Sequence, residues 1–194
     1  MNVFDVAKYI LHELGAIQVW KLHKLIYYCQ AWSLVWDDEP LFEENFYAWD
    51  NGPVCKELYE KHIGLYRLSE NDIHGEINGF TTSRKKTMGA VLDHYGDKEP
   101  YWLRELVREE DPWKKAKEYK DSIITKESMF EYYSSLLDAE IDQEIVCTKL
   151  QKEEYVRAHP ASCTAKTTLG RYGNLAPTKR NPVLNRHALL VSYR

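Results

Sequence analysis

The sequence predicts a mostly α-helical domain built around one central apolar helix, with a short strand or hairpin and a disordered, basic C-terminal tail. Three observations predict it. Apolar residues recur at helical spacing through residues 3–14 and again through about 20–36. Helix-ending and helix-starting residues punctuate the chain at Gly15, Pro40, Gly96 and Asp111-Pro112. After His159 both the apolar clusters and the period vanish.

The first helix places Val3, Val6, Ala7, Ile10, Leu11 and Leu14 on one face, and Gly15 ends it. The second runs from Trp20 to Trp36, with Leu22, Leu25, Ile26, Cys29, Trp32 and Trp36 on a face wide enough to be covered from more than one side. Pro40, behind Asp37-Asp38-Glu39, cannot continue the ladder. Residues 45–49 read as an extended segment. Asn51-Gly52-Pro53 reads as a turn, with Pro53 as the first residue of a helix reaching about Gly64.

Residues 65–82 carry the turn formers Asn71, Asp72, Gly75, Asn78 and Gly79 and read as a loop with a short hairpin. A helix follows from Ser83, as cap, to Tyr95, and Gly96 closes it. Pro100–Glu109 forms the next, with Leu103, Leu106 and Val107 inward. Asp111 as cap and Pro112 as first residue then open another. From Thr125 a last clear helix sets Met129, Tyr132, Tyr133, Leu136 and Leu137 at i, i+3, i+4 spacing. The expected organisation is a domain over 1–140, a helical extension over 141–158 and the tail over 159–194.

Composition bounds the class. The chain is 44% hydrophobic and 29% charged, enough apolar material for a core in an ordinary globular domain. Its 14 tyrosines and 6 tryptophans suit packed interiors and protein-binding surfaces alike. Cys29, Cys55, Cys147 and Cys163 show no CxxC pairing, which argues against a disulfide framework or a zinc site. The amino terminus lacks the basic start of a signal peptide, and no apolar run reaches membrane-spanning length. These features read as a cytoplasmic protein without a membrane partner.

Charge divides the chain. Residues 157–194 hold seven Lys or Arg and no acid, so the net charge of −4, less the tail's +7, leaves −11 on residues 1–156. A tail of that sign suits phosphate backbones, a fold back onto the acidic body, or no role at all.

Catalytic patterns are missing. The seven histidines form no HExxH or His-Cys grouping, and no GxSxG elbow occurs. The histidines, His12 and His23 among them, read as surface or core-edge residues. The acidic runs at Asp37-Asp38-Glu39, Glu43-Glu44 and Glu109-Glu110-Asp111 lie at helix ends or loops, where solvation disfavours acid–base chemistry. They suit an electronegative face for a basic partner instead. The lysines at 114, 115, 117 and 120 and the Arg84-Lys85-Lys86 run read as solvated helix faces.

The ordered motifs VAKYIL, KLHKLIYYCQAWSL, PLF, FYAWDNGPV, KELY, the Tyr95-Gly96 helix end, Asp-Pro-Trp and the paired tyrosines of IITKESMFEYYSSL resemble the Panacea domain, the SocA-like antitoxin family. The resemblance spans roughly Val3 to Leu137. His23 stands where that family usually carries Gln, and Lys56 where it often carries Pro.

The resemblance implies a helical, phage- and mobile-element-associated antitoxin that neutralises a protein toxin by binding it, with no enzymatic activity and no cofactor. The toxin is expected from an adjacent gene, and no small-molecule substrate is expected. It also implies scaffold roles for the motif residues. Lys21, Leu22, Lys24, Leu25, Tyr28 and Trp32 lie in the central helix. Trp49, Gly52, Pro53 and Val54 lie around the turn. Tyr95, Gly96, Pro112, Trp113, Tyr132 and Tyr133 follow. Partner choice falls to less patterned segments, with Asp37, Asp38, Glu39, Glu43, Glu44 and Tyr47 as candidate contacts. Two alternatives stand beside it: an autoregulatory, nucleic-acid-binding accessory using the basic tail, and a hydrolase or transferase with a site assembled from distant residues.

Overall fold

The structure is a computed structural model that describes residues 1–119 and 122–137. The expected helical extension over 141–158 and the tail over 159–194 lie outside these residues, as do Lys120, Cys147 and Cys163.

Helix α1 (Val3–Leu14) starts at Asn2, whose side chain accepts from the Phe4 and Asp5 N–H groups while Asp5 accepts from the Asn2 N–H at 2.9 Å. This reciprocal cap satisfies donors that the first turn leaves open. Val3, Val6, Ala7, Ile10 and Leu11 are buried, as the spacing predicts. Gly15, at φ 71°, turns the chain into β1 (Ile17–Gln18).

Helix α2 (Val19–Trp36) is buried on nearly every face, from Val19 through Leu34. It packs against α1, against α4 (Thr82–Tyr95) and α5 (Pro100–Arg108), and against the strand β3 (Gly52–Cys55). That sequence of 18 residues has no solvent stripe because it has no solvent side. Buried Gln30 pins the loop that follows: its Oε1 accepts from the Leu41 and Phe42 N–H groups, and its Nε2 donates to the Phe42 carbonyl at 3.0 Å.

Strand β2 (Phe46–Trp49) pairs antiparallel with β3 in the register Phe46↔Cys55 and Trp49↔Gly52. On its other edge β2 takes β5 (Ile123–Ile124), Phe46 facing Ile124. Pro53 is therefore a strand residue, and helix α3 (Lys56–Lys61) starts three residues later than expected. The reason lies in the ladder. Ala48, opposite Pro53, sends its N–H away to the Ser122 carbonyl at 2.7 Å. The Ala48–Pro53 pair exchanges no hydrogen bonds, so the missing proline N–H costs nothing.

Other boundaries also differ from expectation. Residues 65–82 hold no hairpin: β4 (Arg67–Leu68) pairs instead with the distant β1, and a 3₁₀ turn spans Glu70–Asp72. Thr81, not Ser83, caps α4, accepting from the Arg84 N–H at 3.3 Å. Ser83 donates to the Asp37 carboxylate instead. Helix α6 (Asp111–Glu118) has Glu110 in the cap position, with Asp111 and Pro112 already helical. The last helix, α7, occupies residues 126–137 of the described chain.

The core centres on rings. Tyr28 stacks on Tyr95 at 4.1 Å and 11°, and Tyr133 meets Trp32 edge-on at 5.4 Å. Glu110, 1% exposed, accepts from Tyr133 Oη at 2.5 Å and from Tyr28 Oη at 3.4 Å. A buried carboxylate is tolerable there because phenol donors replace water. Among the described residues, no helix is long and apolar enough to cross a membrane.

Candidate functional site

The β2–β3 hairpin forms the floor of an open groove of about 490 Å³. Tyr47, Ala48 and Trp49 come from β2, and Asp50 and Asn51 from its two-residue turn. Trp20 comes from the start of α2, Lys56 from α3, Lys117 from α6, and Ser122 from just before β5.

Local chemistry holds each wall. Gly52 closes the turn at φ +97°, a conformation that L side chains rarely adopt. The Trp113 indole N–H donates to the Trp49 carbonyl at 3.2 Å, fixing α6 to the hairpin. Lys117 Nζ donates to Asp50 Oδ1 at 2.6 Å and to the Ala48 carbonyl at 3.3 Å. This hydrogen bond and charge hold the Asp50 carboxyl below its ordinary pKa. Lys56 Nζ sits 3.5 Å over the Tyr47 ring. The Trp49 and Tyr59 rings meet edge-on at 4.9 Å, and Trp20 approaches Tyr59 at 6.4 Å.

Behind Trp20 lies a buried basic cluster. Lys24 is wholly buried, and among the described residues its Nζ has no hydrogen-bond partner. The ammonium lies 5.1 Å from the Trp20 ring, a cation–π contact. Its stem runs along Gly52: a Cβ there would lie 2.8 Å from Lys24 Cε and 3.1 Å from Val107 Cγ1. Burial, and after it the nearby Arg104 charge, lower Lys24 to about 7.

Next to Lys24, His23 Nε2 and His62 Nε2 face each other at 2.8 Å, and both rings are buried. The Cys55 N–H donates to His23 Nδ1 at 3.4 Å. That acceptor role puts the His23 proton on Nε2, which donates to His62, so His62 carries its own proton on Nδ1. Desolvation holds both imidazoles below their ordinary pKa. Burial raises the Cys29 thiol and pushes Cys55 up to about 12, so neither is a ready nucleophile. Among the described residues, no group of three or more His, Cys, Asp or Glu is placed to hold a metal ion.

The sequence-predicted residues fall into three places. Tyr28, Trp32, Tyr95 and Tyr133 meet in the core, with Leu22 and Leu25 beside them on α2. Trp49, Gly52, Pro53, Val54, Pro112 and Trp113 meet at the hairpin and α6, while Gly96 ends α4. Lys21 is half-buried on α2, and Tyr132 packs on Tyr133 at 5.2 Å.

Of the six candidate partner contacts, only Tyr47 lines the groove. Asp37 accepts from Ser33 at 3.3 Å and Thr87 at 2.8 Å, tying α2 to α4. Glu39 pairs with Arg84, Glu43 with Lys126, and Glu44 accepts from the Val3 N–H at 3.3 Å. Asp38 is exposed, at φ 57°. Sequence reasoning missed Trp20, Asp50, Asn51, Lys56, Lys117 and Ser122 as neighbours in a groove. It also missed the His23–His62 pair, which no spacing of 39 residues could signal.

Residues 22–114 match the family model described as antitoxin SocA-like, Panacea domain. The resemblance carried by the motifs thus holds over that stretch, which contains the hairpin, most of α2 and the buried basic cluster. No curated protein and no solved structure matches the chain.

Proposed function

We propose that this protein is an antitoxin, neutralising a cognate protein toxin by direct protein–protein binding and making or breaking no covalent bond itself. The single observation that carries the reading is the match of residues 22–114 to the SocA-like Panacea family. The toxin is expected from an adjacent gene, and the setting is the cytoplasm.

The groove over the β2–β3 hairpin supports a binding role. It gathers Trp20, Tyr47 and Trp49, the ring types that carry most energy at protein interfaces. It rests on a hairpin fixed from α2, α6 and β5, so little ordering cost accompanies docking. Asp38, exposed at the turn that follows α2, is a second candidate contact apart from the groove. The other acids of the 37–47 segment already serve the fold and contribute charge at most.

The test is co-expression with the product of the neighbouring gene. Growth rescue and co-purification are expected with the native protein. Trp49→Ala combined with Tyr47→Ala should weaken both, while the variant keeps its helical circular dichroism. Rescue without physical association would refute neutralisation by direct binding.

A further inference from the structure

We propose that the hairpin groove accepts a glutamate side chain of the protein partner, its carboxylate pairing with the buried ammonium of Lys24. The identity of that partner as a toxin rests on the antitoxin reading above; the carboxylate site does not.

The first ground is an unmet need. Among the described residues, Lys24 Nζ is buried without a hydrogen-bond partner. Arg104 on α5 is a second cation, and His23 and His62 are held neutral. The lysine stem lies close against Gly52, its Cε 2.8 Å from where a Cβ there would sit. An isolated buried ammonium is among the costliest groups to keep, and an incoming carboxylate offsets that cost through charge-assisted hydrogen bonds in a low dielectric.

The second ground is position. Trp20 stands between the two: its ring lies 5.1 Å from Lys24 Nζ and lines the groove, while Lys24 itself does not, so the half-buried indole has to swing aside for a carboxylate to reach the ammonium. Asn51, also in the groove wall, adjoins the Gly52 against which the Lys24 stem rests. The third ground is sign. Lys56 and Lys117 flank the groove, and the acid in its lining, Asp50, is already bound by Lys117. The local balance is positive although the body as a whole is strongly acidic, so the groove favours an acidic visitor over a basic one. Reach selects the source: a glutamate side chain carries its carboxylate away from its backbone on a flexible stem, whereas a chain terminus would have to bring its backbone past the Trp20 indole.

Binding then takes up a proton whenever Lys24 is neutral beforehand. With Lys24 lowered to about 7 and a carboxylate raising it, affinity falls as pH rises above 7, by up to about tenfold per pH unit.

The experiment is a nuclear magnetic resonance titration of the full-length, ¹³C,¹⁵N-labelled protein with acetyl-Ala-Glu-Ala-amide. Controls are the Gln analogue and a peptide whose only carboxylate is its C-terminus. The Glu peptide is expected to move the Lys24 ¹³Cε titration midpoint upward, to shift the Trp20 indole N–H, and to bind more weakly at pH 8.5 than at pH 6.5. Lys24→Met should abolish the difference between Glu and Gln peptides. Equal binding of those two peptides, an unmoved Lys24 midpoint in the native protein, or a response to the C-terminal carboxylate alone would overturn the proposal. Failure here with toxin rescue intact would place the toxin contact elsewhere. Loss of rescue with Glu-peptide binding intact would remove the antitoxin reading and leave the acid-binding groove standing.

Discussion

Replacing Lys24 with methionine should stabilise the protein, although it removes a fully buried residue of the central helix. The stem length is conserved, and methionine fills the space beside Gly52 and Val107 without a charge to desolvate. In the unfolded chain the lysine titrates at its ordinary 10.5, whereas in the fold burial lowers it to about 7. The unfolded state therefore binds more protons between those two values, and native stability rises with pH across that window. At pH 7 the linkage holds about 4 kcal/mol against the native state, since each factor of ten in proton affinity is worth about 1.4 kcal/mol. The stability gap between Lys24→Met and the native protein should be largest and nearly flat below pH 7. It should close by about 1.4 kcal/mol per pH unit as pH climbs toward 10.5. Packing differences between the two side chains do not depend on pH, so the slope isolates the charge. Urea unfolding at pH 6, 7, 8 and 9 measures it. A gap that stays constant from pH 7 to 9, or a variant less stable than the native protein at pH 6, would refute the assignment of an uncompensated ammonium.

Three further outcomes follow from the same geometry. The depressed His23 and His62 contribute stability that is complete above pH 6.5 and is lost as pH falls through it, because the unfolded rings then bind protons first. His23→Gln should flatten the fall of stability with decreasing pH below 6.5, read from urea unfolding across that range. Gly52→Ala should cost at least about 1–3 kcal/mol in thermal unfolding, since φ +97° strains any side chain and the new Cβ meets Lys24 and Val107. Glu110→Ala should cost about 2–3 kcal/mol by stripping the acceptor from the buried Tyr28 and Tyr133 hydroxyls. Glu110→Gln, which keeps an acceptor oxygen, should cost less in the same measurement.

Much of this fold was legible because it is written in local code. The 3–14 and 20–36 helices come from apolar spacing, and Gly15, Pro40 and Gly96 end their helices by backbone chemistry that acts within one turn. What escaped depends on distant partners. Pro53 looked like a helix start until the direction of the Ala48 N–H was known. Strands of two residues, β1 and β4, have no period to read, and only their pairing defines them. The caps of α4 and α6 slipped by a residue or two because Thr, Ser and the acids all qualify in isolation. The groove was the least legible feature. Its Trp20, Trp49 and Lys117 come from three separate elements, and Lys24 carries a charge that ordinarily signals solvent. The chemistry sits where sequence preference and placement disagree.

The second partner of β2 has a practical consequence for anyone trimming this chain. The recognisable stretch stops at Lys114, yet the strand that seals the hairpin's free edge arrives only at Ile123, and Tyr133 arrives later still. Nor does that stretch include Val3–Leu14, which shelters one flank of the central helix. A fragment cut to 22–114 would bare a lipophilic flank and an open row of amides together, an invitation to clump. What evolution repeats and what can stand alone in water are, for this polypeptide, different lengths.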